Sequence, residues 1–179
     1  MLNRTRDNMI QSHLFYGGAN VYAVLDGASI PDLLEKLYKW KPEHICLYRG
    51  ELAPDLAEVA PYLVRLEQNG LFTEWVITQG WGHHWGIFAI SEEGITTLRK
   101  HFRTILMVED PRGKPVYFRY YDPRVLRCYL PSCHPDELKA IIGPINNYIT
   151  EAEDPDKLLR FWLLNDSVQV EELKLSQAN

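Results

Sequence analysis

Apolar residues fall into short runs separated by glycine, proline and acidic stops. Asn20-Val21-Tyr22-Ala23-Val24-Leu25-Asp26 is apolar, β-branched and closed by Gly27, which predicts a buried strand. Leu33, Leu34 and Leu37 then recur at helical spacing, with Pro31 suited to a first helical turn, where its missing N–H costs nothing. His44 to Tyr48 predicts a short strand, Asp55 to Ala60 a short helix or turn, and Tyr62 to Leu66 another strand. Leu71 to Gln79 predicts a helix closed by Gly80. Trp85 to Ile90 predicts a strand, after which Ser91 is placed to cap a long helix with Ile95, Leu98, Phe102 and Ile105 on one face.

Leu106 to Val108 and Val116 to Tyr121 flank a turn rich in proline and glycine, which predicts a hairpin. Asp122-Pro123 has the form of an N-cap followed by proline at the first helical position, so a helix is expected through Leu130, and a second from about Pro135 to Ile142. Ile145 to Ile149 is a candidate strand. After the acidic break Glu151-Ala152-Glu153-Asp154, the pair Asp154-Pro155 repeats the capping pattern and predicts a helix from Asp156 to Leu164. Its apolar residues Leu158, Leu159, Phe161, Trp162, Leu163 and Leu164 spread round the whole wheel at about 100° per residue. A surface helix keeps a polar face, so this one is either buried on all sides or faces a partner.

The alternation predicts an α/β fold: a mixed, mostly parallel sheet flanked by helices, with a small helical C-terminal lobe. Residues 1–18 read as a flexible leader, 19–150 as the α/β domain and 151–179 as the helical lobe or tail.

Composition narrows the function classes. The chain has 179 residues, 46% of them hydrophobic, and a net charge of −5, which suits a soluble protein and argues against a nucleic-acid partner. The densest basic cluster is Arg99-Lys100 with Arg103. Cys46, Cys128 and Cys133 form no CxxC pair, so a reducing compartment fits. The charged N-terminus lacks the apolar core of a signal peptide. No apolar run reaches the roughly 20 residues of a membrane helix. A cytoplasmic location and no membrane partner are expected.

Two segments carry candidate chemistry. In Gly80-Trp81-Gly82-His83-His84-Trp85-Gly86 the adjacent histidines point to opposite faces of an extended chain, and no further ligands are spaced for zinc. Neither a metal nor a cofactor is expected, and the glycines are read as permitting tight turns beside Trp81 and Trp85. In Arg119-Tyr120-Tyr121-Asp122-Pro123-Arg124 an enzyme would use Asp122 as a base and the arginines as anion clamps. The structural alternative has Asp122 capping a helix and Arg119 or Arg124 paired with a carboxylate such as Asp26. Arg65, a charge inside a strand, is expected to be paired or on an edge. The GxSxG and GxxxxGK[ST] patterns are absent. A small hydrolase or anion-binding enzyme using His84, Arg119 and Asp122 remains the alternative to a binding protein. For a binding protein, Leu158, Leu159, Arg160, Phe161 and Trp162 are the candidate partner contacts, since anchors favour tryptophan, tyrosine and arginine.

From about Val21 to Glu151 the chain resembles a known family. The carrying blocks are Tyr22-Ala23-Val24-Leu25-Asp26-Gly27-Ala28, Leu47-Tyr48-Arg49-Gly50-Glu51-Leu52 and Ala60-Pro61-Tyr62-Leu63-Val64-Arg65-Leu66. They continue with Gly80 to Phe88, Leu98-Arg99-Lys100-His101-Phe102-Arg103 and Phe118-Arg119-Tyr120-Tyr121-Asp122-Pro123-Arg124-Val125-Leu126, in the family's order. This resembles the adaptor or chaperone domain of bacterial type VI secretion, called Tap or Tec, or domain of unknown function 4123. The resemblance implies a cofactor-free cytosolic protein that binds a toxic effector, with the effector's N-terminal region the expected contact, and loads it onto the spike protein VgrG. It marks Asp26, Arg65, Trp81, His84, Trp85, Arg119, Tyr121, Asp122 and Arg124 as family-motif positions.

Overall fold

Strand β1 (Asn20–Asp26) is the hub of the computed structural model, which describes residues 2–110 and 112–176. It lies between β3 (Pro61–Leu66) and β4 (Gly86–Ser91) and is antiparallel to both. The sheet extends through β2 (His44–Cys46) on one side and through β7 (Asn147–Glu151), β8 (Lys157–Leu164) and β9 (Ser167–Lys174) on the other. The order is β2-β3-β1-β4-β7-β8-β9, and every neighbouring pair is antiparallel.

Helices cover both faces. On one side α1 (Leu2–Leu14), α2 (Leu33–Trp40) and α4 (Leu71–Gly80) bring Ile10, Leu14, Leu33, Leu37, Phe72 and Val76 against Val21, Ala23, Leu25, Val64 and Ile90. On the other, α5 (Ile95–Thr104), α6 (Pro123–Tyr129) and α7 (Pro135–Ile142) bring Leu98, Phe102, Leu126 and Ile141 against Tyr22, Val24, Ile87 and Tyr148. A short helix α3 (Pro54–Val59) precedes β3, and β5 (Met107–Glu109) and β6 (Pro115–Tyr117) form a separate two-stranded sheet.

The expected mostly parallel sheet is therefore wrong. Strands buried on both faces read as continuous apolar runs, the usual mark of parallel sheets. Here helices cover both faces of an antiparallel sheet and produce the same pattern. The hairpin exists as expected but pairs with itself and not with the main sheet.

The helical C-terminal lobe is also replaced. Residues 157–164 and 167–174 are the antiparallel strands β8 and β9, joined at Asn165 and Asp166, both with positive φ as a tight hairpin turn needs. Leu158 packs into one core layer and Phe161 into the other. Such a strand has no polar face on a helical wheel either, which is how it came to look helical. Asp154 caps no helix: its Oδ1 accepts the Asp156 N–H in the turn before β8. The segment expected as a loose leader contains α1, whose Ile10 and Leu14 are fully buried. Ser91 ends β4, and α5 begins after Gly94; Pro31 stands before the N-cap Asp32 of α2. Met1, Pro111 and residues 177–179, which fall in the expected leader, hairpin turn and tail, lie outside the described residues.

Because Leu158 and Phe161 are 0% and 1% exposed, truncating either to alanine is expected to cost about 2–5 kcal/mol. Urea unfolding of Leu158→Ala and Phe161→Ala checks this; an unchanged midpoint would show that β8 is not part of the core.

Candidate functional site

The register places the ends of β1 and β7 and the starts of β4 and β8 on one edge of the sheet, since Leu25 pairs with Gly86 and Glu151 with Leu158. A Cβ on Gly86 would sit 2.2 Å from the Val24 carbonyl oxygen, so only glycine lets β4 approach β1 at this point. Two carboxylates end the central strands here: Asp26, 2% exposed, and Glu151, 4% exposed. A buried charge is tolerated only when it is paired and hydrogen-bonded.

Glu151 is satisfied by the loop between α4 and β4. It accepts the Gly82 N–H at 2.6 Å and the His84 N–H at 3.1 Å, and it pairs with the His84 Nδ1. Gly82 and His84 have φ of +86° and +59°, which lets the N–H groups of these alternate residues converge on one anion while the His83 N–H donates to the Gly80 carbonyl. The Trp81 Nε1–H donates to the Pro155 carbonyl at 2.8 Å, a second tie between this loop and the β7–β8 turn. Trp85 packs on Trp75 with ring centroids 4.9 Å apart.

Asp26 is satisfied by the chain that follows it and by a distant arginine. It accepts the Ala28 N–H at 3.2 Å and the Ser29 hydroxyl at 2.7 Å, and it pairs with Arg119. The Arg119 guanidinium lies 5.9 Å from the Tyr121 ring centroid. Burial opposes the arginine's charge, but Asp26 outweighs it and raises the pKa. Burial likewise pushes the Tyr121 phenol up.

Asp122 caps α6. Its Oδ1 accepts the Arg124 N–H at 2.9 Å and Nε–H at 3.0 Å, and its Oδ2 accepts the second guanidinium N–H at 2.7 Å. Burial works to raise this carboxyl's pKa, but the Arg124 hydrogen bonds and charge prevail and hold it below the usual range. Arg124 is stabilised first by Asp122, and Glu151 and Asp26 add to the same effect, which makes the three carboxylates electrostatic neighbours.

The structure thus brings Asp26, Trp81, His84, Trp85, Arg119, Tyr121, Asp122 and Arg124 to one edge of the sheet. It leaves Arg65 out. Arg65 sits at the opposite end of β3, hydrogen-bonded to Asn20 at 2.8 Å and paired with Glu43 at 3.4 Å. Within the cluster, each carboxylate has its own side-chain partner. His84 goes to Glu151, Arg119 to Asp26 and Arg124 to Asp122, so the side chains of His84, Arg119 and Asp122 share no hydrogen bond with one another; the one link within that set is the Asp122 N–H donating to the Arg119 carbonyl at 3.0 Å. Among the tail residues, Leu158 and Phe161 are core, while Leu159, Arg160 and Trp162 are half-buried, with Arg160 paired to Glu171 at 3.2 Å.

Sequence reasoning missed Glu151, although a carboxylate ending the apolar run Tyr148-Ile149-Thr150 was a signal for it. It also missed Arg103, which donates to the carbonyls of Leu47, Cys46 and Tyr48 at 3.0, 3.0 and 2.7 Å. No local pattern announces that pairing.

A family model described as a domain of unknown function, DUF4123, matches residues 21–140. The chain belongs to this family. DUF4123 proteins are known as adaptors and chaperones of type VI secretion effectors. The match spans β1 to α7 and includes all of the cluster except Glu151. No curated protein and no solved structure matches the chain. Among the described residues, no helix is long and apolar enough to cross a membrane.

Glu151 satisfies two backbone N–H groups, so Glu151→Ala is expected to cost about 3 kcal/mol. His84→Ala, which removes a partly exposed partner, is expected to cost about 1 kcal/mol. Thermal melts of the two variants test this order. Asp122→Asn is expected to lose about 1 kcal/mol at neutral pH. The folded pKa of Asp122 is depressed, so its charge contributes stability above the unfolded value near 3.8 and loses it as pH falls through the folded value. Denaturation curves from pH 7 to pH 2 should therefore show the wild type and the variant converging at the acid end.

Proposed function

We propose that this chain is a cytosolic adaptor that binds a type VI secretion effector and helps load it onto the VgrG spike, without performing a reaction of its own. Membership of DUF4123 carries the reading. The geometry supports it in two ways. The ionic cluster at the sheet edge is internally matched, with Asp122 engaged through both oxygens by the segment it caps, so its groups serve to hold loops together. The surface, by contrast, exposes apolar side chains on small elements that bury nothing of their own. The effector's N-terminal region is the proposed contact. The half-buried Leu159 and Trp162 on β8 remain candidate contacts beside the core residues Leu158 and Phe161.

Co-expression of the full chain with the effector encoded beside it tests this reading. The two are expected to co-purify as a stable complex and, on addition of VgrG, to form a ternary one. Failure of the folded chain to retain the effector would remove the adaptor assignment.

A further inference from the structure

Helix α3 and the β5–β6 hairpin share an unusual property: among the described residues, neither has a buried one. A six-residue helix and an isolated two-stranded hairpin are both marginal without packing. Both nonetheless carry large apolar side chains in the open. Leu56 is 43% exposed, Met107 43% and Tyr117 65%. Met107 and Tyr117 are cross-strand partners, so they stand on the same face of the hairpin. That face and Leu56 of α3 line one groove of about 730 Å³, together with Leu52. Tyr48 packs on Tyr117 at 5.6 Å between ring centroids and braces the hairpin against the main body. Apolar surface gathered in a groove marks a binding site more strongly than scattered exposed residues do.

The groove also has a charge. Its charged lining residues are Arg49 and Arg103, both cations. Neither has a carboxylate partner among the described residues, in a chain whose net charge is −5. Burial and then the like charge of Arg99 lower the pKa of Arg103; Cys46 works against them, and Arg49 adds to the lowering. The buried Nε of Arg99 has no hydrogen-bond partner. Arg103 spends its Nε and one terminal nitrogen on the carbonyls of Leu47, Cys46 and Tyr48, which orients the guanidinium but leaves its net charge, like that of Arg49, without a carboxylate. Elsewhere Arg6, Arg65, Arg119, Arg124 and Arg160 each meet a carboxylate, while Arg112 and Arg127 meet none among the described residues; what sets Arg49 and Arg103 apart is that they line one groove together. An anion is what this region lacks, and apolar walls call for apolar groups beside it.

We propose that the groove between α3 and the β5–β6 hairpin docks an acidic, amphipathic segment of a partner protein, its apolar side chains lying between Leu56 and the Met107–Tyr117 pair and its carboxylates facing Arg49 and Arg103. The proposal rests on the adaptor reading for the identity of that partner. Tyr117 and the arginines are residue types that dominate binding energy at interfaces. An amphipathic segment in an apolar groove is a common mode of peptide recognition. Nucleic acid would match the cations but leave the apolar walls wet.

Fluorescence anisotropy with the full chain tests the proposal. The probes are a labelled peptide of about 16 residues with leucines at helical spacing among glutamates, its analogue with lysine in place of each glutamate, and a short DNA duplex. The acidic peptide is expected to bind at least about tenfold more tightly than either of the others. The double variant Leu56→Ser/Tyr117→Ser should lose about tenfold or more, and Arg49→Glu should shift the preference toward the lysine analogue. All three positions are exposed, so circular dichroism should show an unchanged fold. Tyr38→Ser, an 81% exposed position on α2, should bind as the wild type does. Equal binding of the two peptides, tighter binding of the duplex, or an unchanged preference in Arg49→Glu would overturn the proposal. Effector capture separates the two readings. Capture by the wild type and by Leu56→Ser/Tyr117→Ser alike overturns the groove and leaves the adaptor reading standing. A wild type that binds the acidic peptide but captures no effector overturns the adaptor reading and leaves the groove.

Discussion

The central strands have no free face. Val21, Ala23 and Leu25 of β1 point into one helical layer and Tyr22 and Val24 into the other, all at most 1% exposed. The same double burial holds for β4 and for Tyr148 and Ile149 of β7. A charge within these strands would be removed from water without compensation, which is costly. Charged groups are therefore displaced to the strand ends. Asp26 and Glu151 stand at the last positions of β1 and β7, still almost fully buried, where loops can supply donors. The ionic cluster at the sheet edge follows from this constraint and need not imply catalysis.

The donors come from far along the chain. Arg119 reaches Asp26 across 93 residues, and His84 reaches Glu151 across 67. Each pairing closes a long loop onto the end of a strand, and each is directional, so each fixes an orientation that apolar packing leaves open. Removing Arg119 would leave the buried Asp26 carboxylate without its cation, and that penalty exceeds the net contribution of the pair itself; Glu151 keeps two backbone N–H donors when His84 is lost. Residues of the types used in catalysis, His, Asp, Glu and Arg, are here consumed in holding connections in place.

Much of this was legible in the sequence and some was not, for definite reasons. The N-cap role of Asp122 could be read directly, because the Asp-Pro pair is a local signal with a local cause, and the Arg119–Asp26 pair was one of the two arginine alternatives. Strand direction was not legible. An apolar run such as Val21 to Leu25 records that both faces are covered, and it is silent on whether its neighbours run parallel or antiparallel. Strand β8 failed for a related reason. Lys157 to Leu164 alternates between two cores, so its pattern lacks the polar side that distinguishes strand from helix. In the site, the role of Glu151 depends on the positive φ of Gly82 and His84, and nothing in the spacing of Gly80 to Gly86 indicates which carboxylate those N–H groups enclose.

The arrangement around the groove can be understood from the same balance of fixed and unsupported parts. Arg103 holds the three consecutive carbonyls of residues 46–48, Tyr48 braces Tyr117, and two residues beyond Tyr117 the chain is fixed again where Arg119 meets Asp26. The bases of both walls are therefore anchored to the core, while the walls themselves, α3 and the hairpin, contribute no buried residue to it. Elements with few buried contacts open locally at low cost, whereas anchored bases limit how far they can stray. For an adaptor this combination has a physical use. A partner segment entering the groove would bury Leu56, Met107 and Tyr117 and so stabilise walls that are marginal alone. Because the bases are already placed, less conformational entropy is lost than if the whole segment had to be ordered.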